Sequence, residues 1–172
     1  MNRTMELASA RAPVALHSVR AERFDWEGDS ATLWYRIACP CGGRCGAILS
    51  EYLPSEMAGW EGFWADPIGF RCADCDRMRT LFDSARHGYD AVLGGCNGNR
   101  QRTGDEEEEL PCPACGGLRH GVAAAYRYDI DDLESLGEDG LRQMPDLFTS
   151  AGFELACADC GAKQWLGDWE TA

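Results

Sequence analysis

The chain of 172 residues is long enough for one medium domain or two small ones, and its hydrophobic residues include ten cysteines. Its formal net charge is −13, from 29 acidic and 16 basic residues, and such a field repels phosphate backbones.

The N-terminal residues 1–6 (MNRTME) do not begin an apolar secretory signal, and no stretch approaches the roughly 18 apolar residues that span a bilayer. We therefore expect a cytoplasmic protein with no membrane partner, and in that reducing compartment paired cysteines are more often metal ligands than disulfides. Lys163 is the single lysine, which we interpret as the composition of a GC-rich bacterial genome.

The first predicted element is an N-terminal β-hairpin. Apolar residues alternate with other residues in two stretches, Val14/Leu16 and Leu33/Tyr35/Ile37. Residues 26–30 (WEGDS) are typical of a turn between them. The second half of the chain has no counterpart of this hairpin.

A first group of cysteines follows the hairpin, at Cys39, Cys41, Cys45, Cys72 and Cys75. The last two form a Cys-x-x-Cys pair, and two of the first three complete a set of four zinc ligands. Cys39 is favoured because Ile37 precedes it by two positions, as apolar residues precede the first cysteine of the other pairs. Alignment with the second half of the chain favours Cys41 as its partner, and the pair Cys41/Cys45 stays open as an alternative.

The segment between these cysteines predicts a short helix. Ser55 after Pro54 is a candidate cap, and four apolar side chains then share one helical face, Met57, Trp60, Phe63 and Trp64. We expect this stripe to be part of a hydrophobic core. Beyond it, residues 96–110 combine glycine and asparagine with a run of acidic residues, which predicts a linker or exposed loop that also carries Cys96.

The second half contains two Cys-x-x-Cys pairs, Cys112/Cys115 and Cys157/Cys160. Glycine follows both pairs and permits the positive φ angle that such turns often need. The segment between the pairs has a capping-box pattern at Asp131 and Glu134, with Leu133, Leu136 and Leu141 behind it. A second predicted zinc site therefore uses all four of these cysteines.

The two halves repeat one order of features. Residues 39–46 (CPCGGRCG) match 112–121 (CPACGGLRHG), and 69–75 (GFRCADC) match 152–160 (GFELACADC). Each half is predicted to run from a cysteine turn through a strand, an insert and another strand to a second cysteine turn. We predict a duplicated α+β chain with a first module in 1–95, the linker in 96–110 and a second module in 111–172.

The turns CPACG at 112–116 and CADCG at 157–161 resemble the knuckles of zinc-ribbon proteins. The resemblance covers the cysteine segments alone and implies structural, tetrahedral Zn²⁺ on short hairpins. The chain departs from the ribbon pattern in spacing, since 41 residues separate the second-half pairs where a simple ribbon has about 15–20.

Three functional hypotheses follow. The first is a non-enzymatic zinc-binding protein whose acidic surface binds a protein partner with a basic surface, for example as an inhibitor or immunity protein of a nucleic-acid-degrading toxin. The second is a nucleic-acid-binding or transcription-associated zinc ribbon. We do not expect a nucleic-acid partner, because the local basic features, Arg77/Arg79 and Arg100/Arg102, lie close to acidic residues and form no basic stripe. The third is an enzyme with a cleft between the modules near Trp60, Trp64 and His87.

Catalysis is the least expected of these, and no catalytic residue is assigned. Four thiolates leave a zinc ion no open position for water. The sequence also contains no His-Glu-x-x-His helix, phosphate-binding glycine loop or nucleophile elbow. His120 adjoins the second-half cysteines, where it could donate a hydrogen bond to a zinc-bound sulfur.

Overall fold

The computed structural model describes residues 3–25, 31–53, 63–94, 108–136, 140 and 143–171. Its main feature is one antiparallel sheet, whose strands are β1 (Arg20–Phe24), β2 (Thr32–Ala38), β3 (Cys45–Leu53), β4 (Phe63–Cys72), β5 (Met78–Phe82), β6 (Glu108–Glu109), β7 (His120–Arg127), β8 (Ser150–Cys157) and β9 (Lys163–Glu170).

The helices of the described residues are short. They are α1 (Arg3–Ala8), α2 (Tyr89–Leu93), α3 (Ile130–Ser135) and the two 3-10 helices Val14–Leu16 and Met144–Asp146. Not one helix in these ranges has the length and apolar character needed to span a membrane.

Strand β7 is where the sheet divides. One edge of β7 pairs with β8 from His120 to Arg127. The other edge is shared, because residues 123–127 pair with β2 whereas His120 and Gly121 pair with β3. The sheet therefore forks at this edge of β7, with β1 and β2 on one arm and β3, β4 and β5 on the other.

The sheet curls around a single core. Strands β4 and β9 approach each other, and the indole Nε1 of Trp169 donates to the Trp64 carbonyl at 3.2 Å. The rings of Phe82 and Trp169 lie 5.8 Å apart across the same gap. The largest side chains inside the curl come from both halves of the chain, among them Phe70, Phe82, Tyr126, Tyr128, Phe148 and Phe153. The architecture is a partly closed antiparallel half-barrel with a few short helices.

The predicted N-terminal hairpin is present, but its first strand was placed wrongly. Strand β1 pairs with β2, whereas Val14–Leu16 forms a 3-10 helix. The Val14 N–H donates to Asp146 Oδ1 at 2.6 Å, and the Arg11 guanidinium pairs with the same carboxylate. These long-range contacts fix the backbone in a turn, against the local alternation of apolar residues. The predicted turn at 26–30 lies outside the described residues.

The two predicted helices had different outcomes. Three residues of the first predicted helix lie outside the described residues, namely Ser55, Met57 and Trp60. The other two residues of its apolar stripe, at 63–64, belong to strand β4, so the helix prediction was wrong for those two positions. In the second insert α3 is confirmed, with Leu133 fully buried. Its cap is Asp129, however, and not Asp131 as the capping-box pattern predicted.

The boundaries predicted for the two modules stay a prediction. Strands from both halves pair directly, β2 and β3 with β7, so the sheet continues across the predicted linker. Within that linker, β6 pairs with β3 through Glu109 and Leu49. The acidic segment thus ends in the sheet where the structure describes it.

Candidate metal centres

Four sulfurs meet where the turn after β2 faces the turn between β4 and β5. The Sγ atoms of Cys39, Cys41, Cys72 and Cys75 all lie within 4.8 Å of one another. Cys39 and Cys75 are 3.6 Å apart, as are Cys41 and Cys72. Cys45, the third candidate from the first cluster, lies outside this group.

A second quartet lies where the turn before β7 faces the turn between β8 and β9. It consists of Cys112, Cys115, Cys157 and Cys160, again with all four sulfurs within 4.8 Å. Cys112 is 3.6 Å from Cys160, and Cys115 is 3.6 Å from Cys157. In both quartets each close pair joins cysteines from opposite turns.

These separations fit a single ion in each quartet. Four bonds of about 2.3 Å in tetrahedral directions place neighbouring sulfurs about 3.8 Å apart. The observed 3.6 Å is close to that value and far longer than a disulfide bond of about 2 Å. All nine cysteines in the described ranges are free thiols. Both quartets can therefore hold a metal ion.

The alternation of the strands explains the burial of the first cysteine in each turn. Cys39, Cys72, Cys112 and Cys157 are all buried. Each follows by two positions a buried apolar residue, in order Ile37, Phe70, Leu110 and Leu155. Because side chains two apart share one face, the first sulfur of each turn lies on the core side. Three of the second cysteines are exposed, and Cys75 is half-buried.

The double glycines of the two halves have two separate functions. Gly42 and Gly116 have φ angles of 103° and 74°, which reverse the chain after the cysteines. Gly43 and Gly117 instead let the opposite turn approach. A Cβ on Gly43 would lie 2.6 Å from Cys72 Sγ, and one on Gly117 would lie 2.5 Å from Asp159 Oδ2.

Backbone hydrogen bonds are matched between the two quartets. The Gly42 N–H donates to the Cys39 carbonyl and the Gly116 N–H to that of Cys112, both at 2.8 Å. On the facing turns, the Ala73 N–H donates to the backbone carbonyl of Cys45 at 3.0 Å, and the Ala158 N–H donates to the backbone carbonyl of Arg119 at 2.8 Å. Cys45 therefore occupies the position of Arg119 in the second half.

The protein environment already favours thiolate at one cysteine of each quartet. The backbone N–H of Cys41 lowers the pKa of Cys39 to about 7, and those of Cys160 and Asp159 lower the pKa of Cys157 to about 7. At Cys115 the Gly117 N–H lowers the pKa, but the neighbouring thiols, first Cys160 and then Cys157, outweigh it and raise the value to about 12. Crowding of four thiols thus opposes complete ionisation unless a cation is bound.

The two quartets lie at the same end of the sheet. Cys72 pairs with Gly46, Gly46 with His120, and His120 with Cys157, so one row crosses β4, β3, β7 and β8. Three strand spacings separate Cys72 from Cys157, on the order of 14 Å. One row of paired backbone therefore connects the two quartets.

His120 is fully buried in this row. Its Nε2 lies 3.5 Å from the Gln164 side chain, and its Nδ1 has no hydrogen-bond partner among the described residues. Burial lowers its pKa, against the raising effects of the Leu118 backbone and Asp159. The predicted hydrogen bond from His120 to a cysteine sulfur is not formed in this arrangement.

The side chains suggested for a catalytic cleft make contacts within the fold where the structure describes them. His87 accepts a hydrogen bond at Nδ1 from the Asp83 N–H at 3.0 Å, and burial lowers its pKa. Trp64 packs against the core. Trp60 and Cys96 lie outside the described residues, as do Arg100 and Arg102 of the predicted basic pairs.

Comparisons of the chain with family models, with curated proteins and with solved structures give no match.

Proposed function

We propose that the protein is a non-enzymatic, cytoplasmic zinc protein in which two structural ions fix the shape of a binding surface. The observation that carries this proposal is the pair of four-cysteine groups with sulfurs 3.6 Å apart. Each ion would be enclosed by four thiolates, with no position left for a reacting water. A reducing compartment belongs to the proposal because the ligands must remain thiolates.

Zinc is favoured over iron–sulfur clusters by the closeness of the sulfurs. In a cluster the cysteines bind different iron atoms, so their sulfurs must stand further apart than around one ion. Soft thiolate donors in a tetrahedral set are typical of structural Zn²⁺.

We infer that the two centres arose by internal duplication of a zinc-ribbon-like unit. The matched backbone hydrogen bonds at Cys39 and Cys112, and at Cys72 and Cys157, support this origin. The pairing between β3 and β7 supports it further, because Gly46 faces His120 as symmetry-related strands would.

We propose a protein with a basic surface as one partner, in the manner of an inhibitor or immunity protein. The net charge of −13 supports this, and two ions with eight thiolates would take it to about −17. Exposed acidic residues around α3 are candidates for the contact, namely Asp129, Asp131, Asp132 and Glu134. Complementary charge would speed the encounter and select the partner.

Elemental analysis of the reduced protein tests the metal proposal. We expect two zinc ions per chain, and one in each of the variants Cys75→Ser and Cys160→Ser, because each removes a ligand from one quartet. Cys45→Ser is the matched control and should retain both ions. Wild-type protein without bound metal, or loss of an ion from the control, would contradict the assignment.

The partner proposal has a separate test. Affinity capture from the native lysate should retain a basic protein with the wild type and lose it when Asp129, Asp131 and Asp132 become Asn. Metal content and melting temperature of that variant should match the wild type. Capture of an acidic protein, or equal capture by the neutralised variant, would refute the acidic contact.

A further inference from the structure

A groove lies over the fork of the sheet, next to the first cysteine quartet. Its volume is about 570 Å³, and residues of β1, β2, β3, β7, β8 and β9 line it. Its lining includes the small residues Gly121, Ala123 and Ala156. The groove has the size of known ligand sites, roughly 300–1,000 Å³.

The rim of the groove is basic in a strongly acidic chain. Four cationic side chains line it, Arg20, Arg36, Arg44 and Lys163, against two carboxylates, Glu22 and Glu154. Lys163 pairs with Glu154 at 2.9 Å. Arg20 and Arg44 are exposed and form no ion pair with any residue that the structure describes. Anions are therefore attracted here more than the net charge suggests.

Aromatic rings continue the same face of the sheet. Strand pairing places Phe24 beside Trp34, and Glu154 beside Trp165, so these rings follow the basic residues along the strands. The ring centroids of Trp34 and Trp165 lie 5.9 Å apart, and Trp165 is 47% exposed. Arg36 covers the Phe24 ring at 4.6 Å.

We propose that this groove binds a short segment of single-stranded nucleic acid. Its phosphates would contact Arg20 and Arg44, and an unpaired base would stack on Trp165. An exposed indole beside cations on an open sheet face is suited to an unstacked base, whereas an acidic peptide would use the cations alone. A duplex would keep its bases stacked away from Trp165. The site is independent of the proposed basic partner.

Fluorescence anisotropy with labelled ten-nucleotide oligouridine and oligothymidine tests this on the full, reduced, zinc-loaded chain. We expect binding that weakens between 50 and 200 mM salt with a slope of about −1.4, as for two phosphate contacts on a single strand. Trp165→Ala should weaken binding about 5- to 100-fold, the range for loss of one stacked base.

Arg44→Glu and Arg77→Glu form a matched pair, since both arginines are exposed beside the first quartet and only Arg44 lines the groove. Arg44→Glu should reduce the magnitude of the salt slope by about 0.7, the share of one contact on a single strand, and Arg77→Glu should leave it unchanged. Elemental analysis and melting temperature confirm that each variant is folded. The proposal is overturned by absence of binding at 50 mM salt, by equal effects of the two charge reversals, or by unchanged affinity in folded Trp165→Ala. Equally tight binding of uridine monophosphate, a duplex or a polyglutamate peptide would also overturn it.

Discussion

At the residue scale, the position after the second cysteine of each turn has a backbone conformation that most residues avoid, because its φ angle is positive. Three of these positions are glycines, with φ angles of 103° at Gly42, 74° at Gly116 and 75° at Gly161. The fourth is Asp76, whose φ is 55°. An L-residue with a Cβ is disfavoured there, although aspartate tolerates the left-handed region better than most.

Replacing Asp76 with Gly is therefore expected to stabilise the zinc-loaded protein by up to about 1 kcal/mol. The substitution removes the ion pair of Asp76 with Arg71 at 3.6 Å, but so exposed a pair contributes little. Chemical denaturation measures the change. Gly161→Ala is the reverse control and should destabilise by a similar amount, and a loss of stability in Asp76→Gly would contradict the backbone argument.

Two neighbouring tyrosines of the core differ in their hydrogen bonding. The Tyr128 hydroxyl donates to the Pro145 carbonyl at 2.9 Å, whereas the buried Tyr126 hydroxyl has no partner among the described residues. Burial also raises the pKa of both phenols, so neither ionises in the folded state at neutral pH.

Tyr126→Phe is expected to leave stability unchanged or to raise it by up to about 1 kcal/mol, because it removes an unsatisfied buried hydroxyl. Tyr128→Phe should lower stability by about 1 kcal/mol, because the Pro145 carbonyl loses its donor. Urea denaturation of both variants measures the contrast. A larger loss for Tyr126→Phe than for Tyr128→Phe would show that the first hydroxyl is satisfied after all.

At the scale of elements, local chemistry explains the cysteine turns better than it explains the helices. The turns follow strands whose alternation continues into the first cysteine, so their position can be read from the sequence. Helix α3 has three aspartates near its start, and only the backbone geometry selects Asp129, whose side chain accepts from the N–H groups of Asp131 and Asp132 at 3.0 and 3.2 Å.

Asp129→Ala should therefore cost about 1 kcal/mol of stability, the usual effect of losing an N-cap. Leu133 on α3 is buried in the shared core, so the loss should appear in global unfolding. Asp131→Ala is the matched control, with the same change of charge but no cap bond lost. A greater loss of stability in Asp131→Ala than in Asp129→Ala would show that Asp131 is the cap, as the capping-box pattern predicted.

At the scale of the whole molecule, strand β7 connects the arms of the sheet. It pairs with β2 and β3 on one edge and with β8 on the other, and both quartets lie at the end of the sheet where β3 meets β7. Gly46 and His120 are the paired residues that connect the two quartets.

We accordingly expect the zinc-loaded chain to unfold in one cooperative transition. Far-ultraviolet circular dichroism and tryptophan fluorescence should give coincident denaturation curves. Cys75→Ser should shift the whole curve to lower denaturant, and Cys45→Ser should shift it much less. Two separate transitions, with only one displaced by Cys75→Ser, would instead indicate that the halves predicted at 1–95 and 111–172 fold independently.

The sequence alone determined the local chemistry of this protein: the strands before the cysteines, the turns with their glycines, and two sets of sulfur ligands. These depend on spacings of two or three residues, which short-range geometry fixes. The tertiary structure decided which sulfurs of the first cluster meet, since the sequence favoured Cys39 but left the pair Cys41/Cys45 as an alternative. It also decided that Val14–Leu16 turns toward Asp146, and that Arg20, Arg36, Arg44 and Lys163 line one groove. The facing sulfurs of the first quartet are 31 and 36 positions apart in the sequence, and Val14 and Asp146 are 132 apart. No local pattern encodes which strand edges will pair.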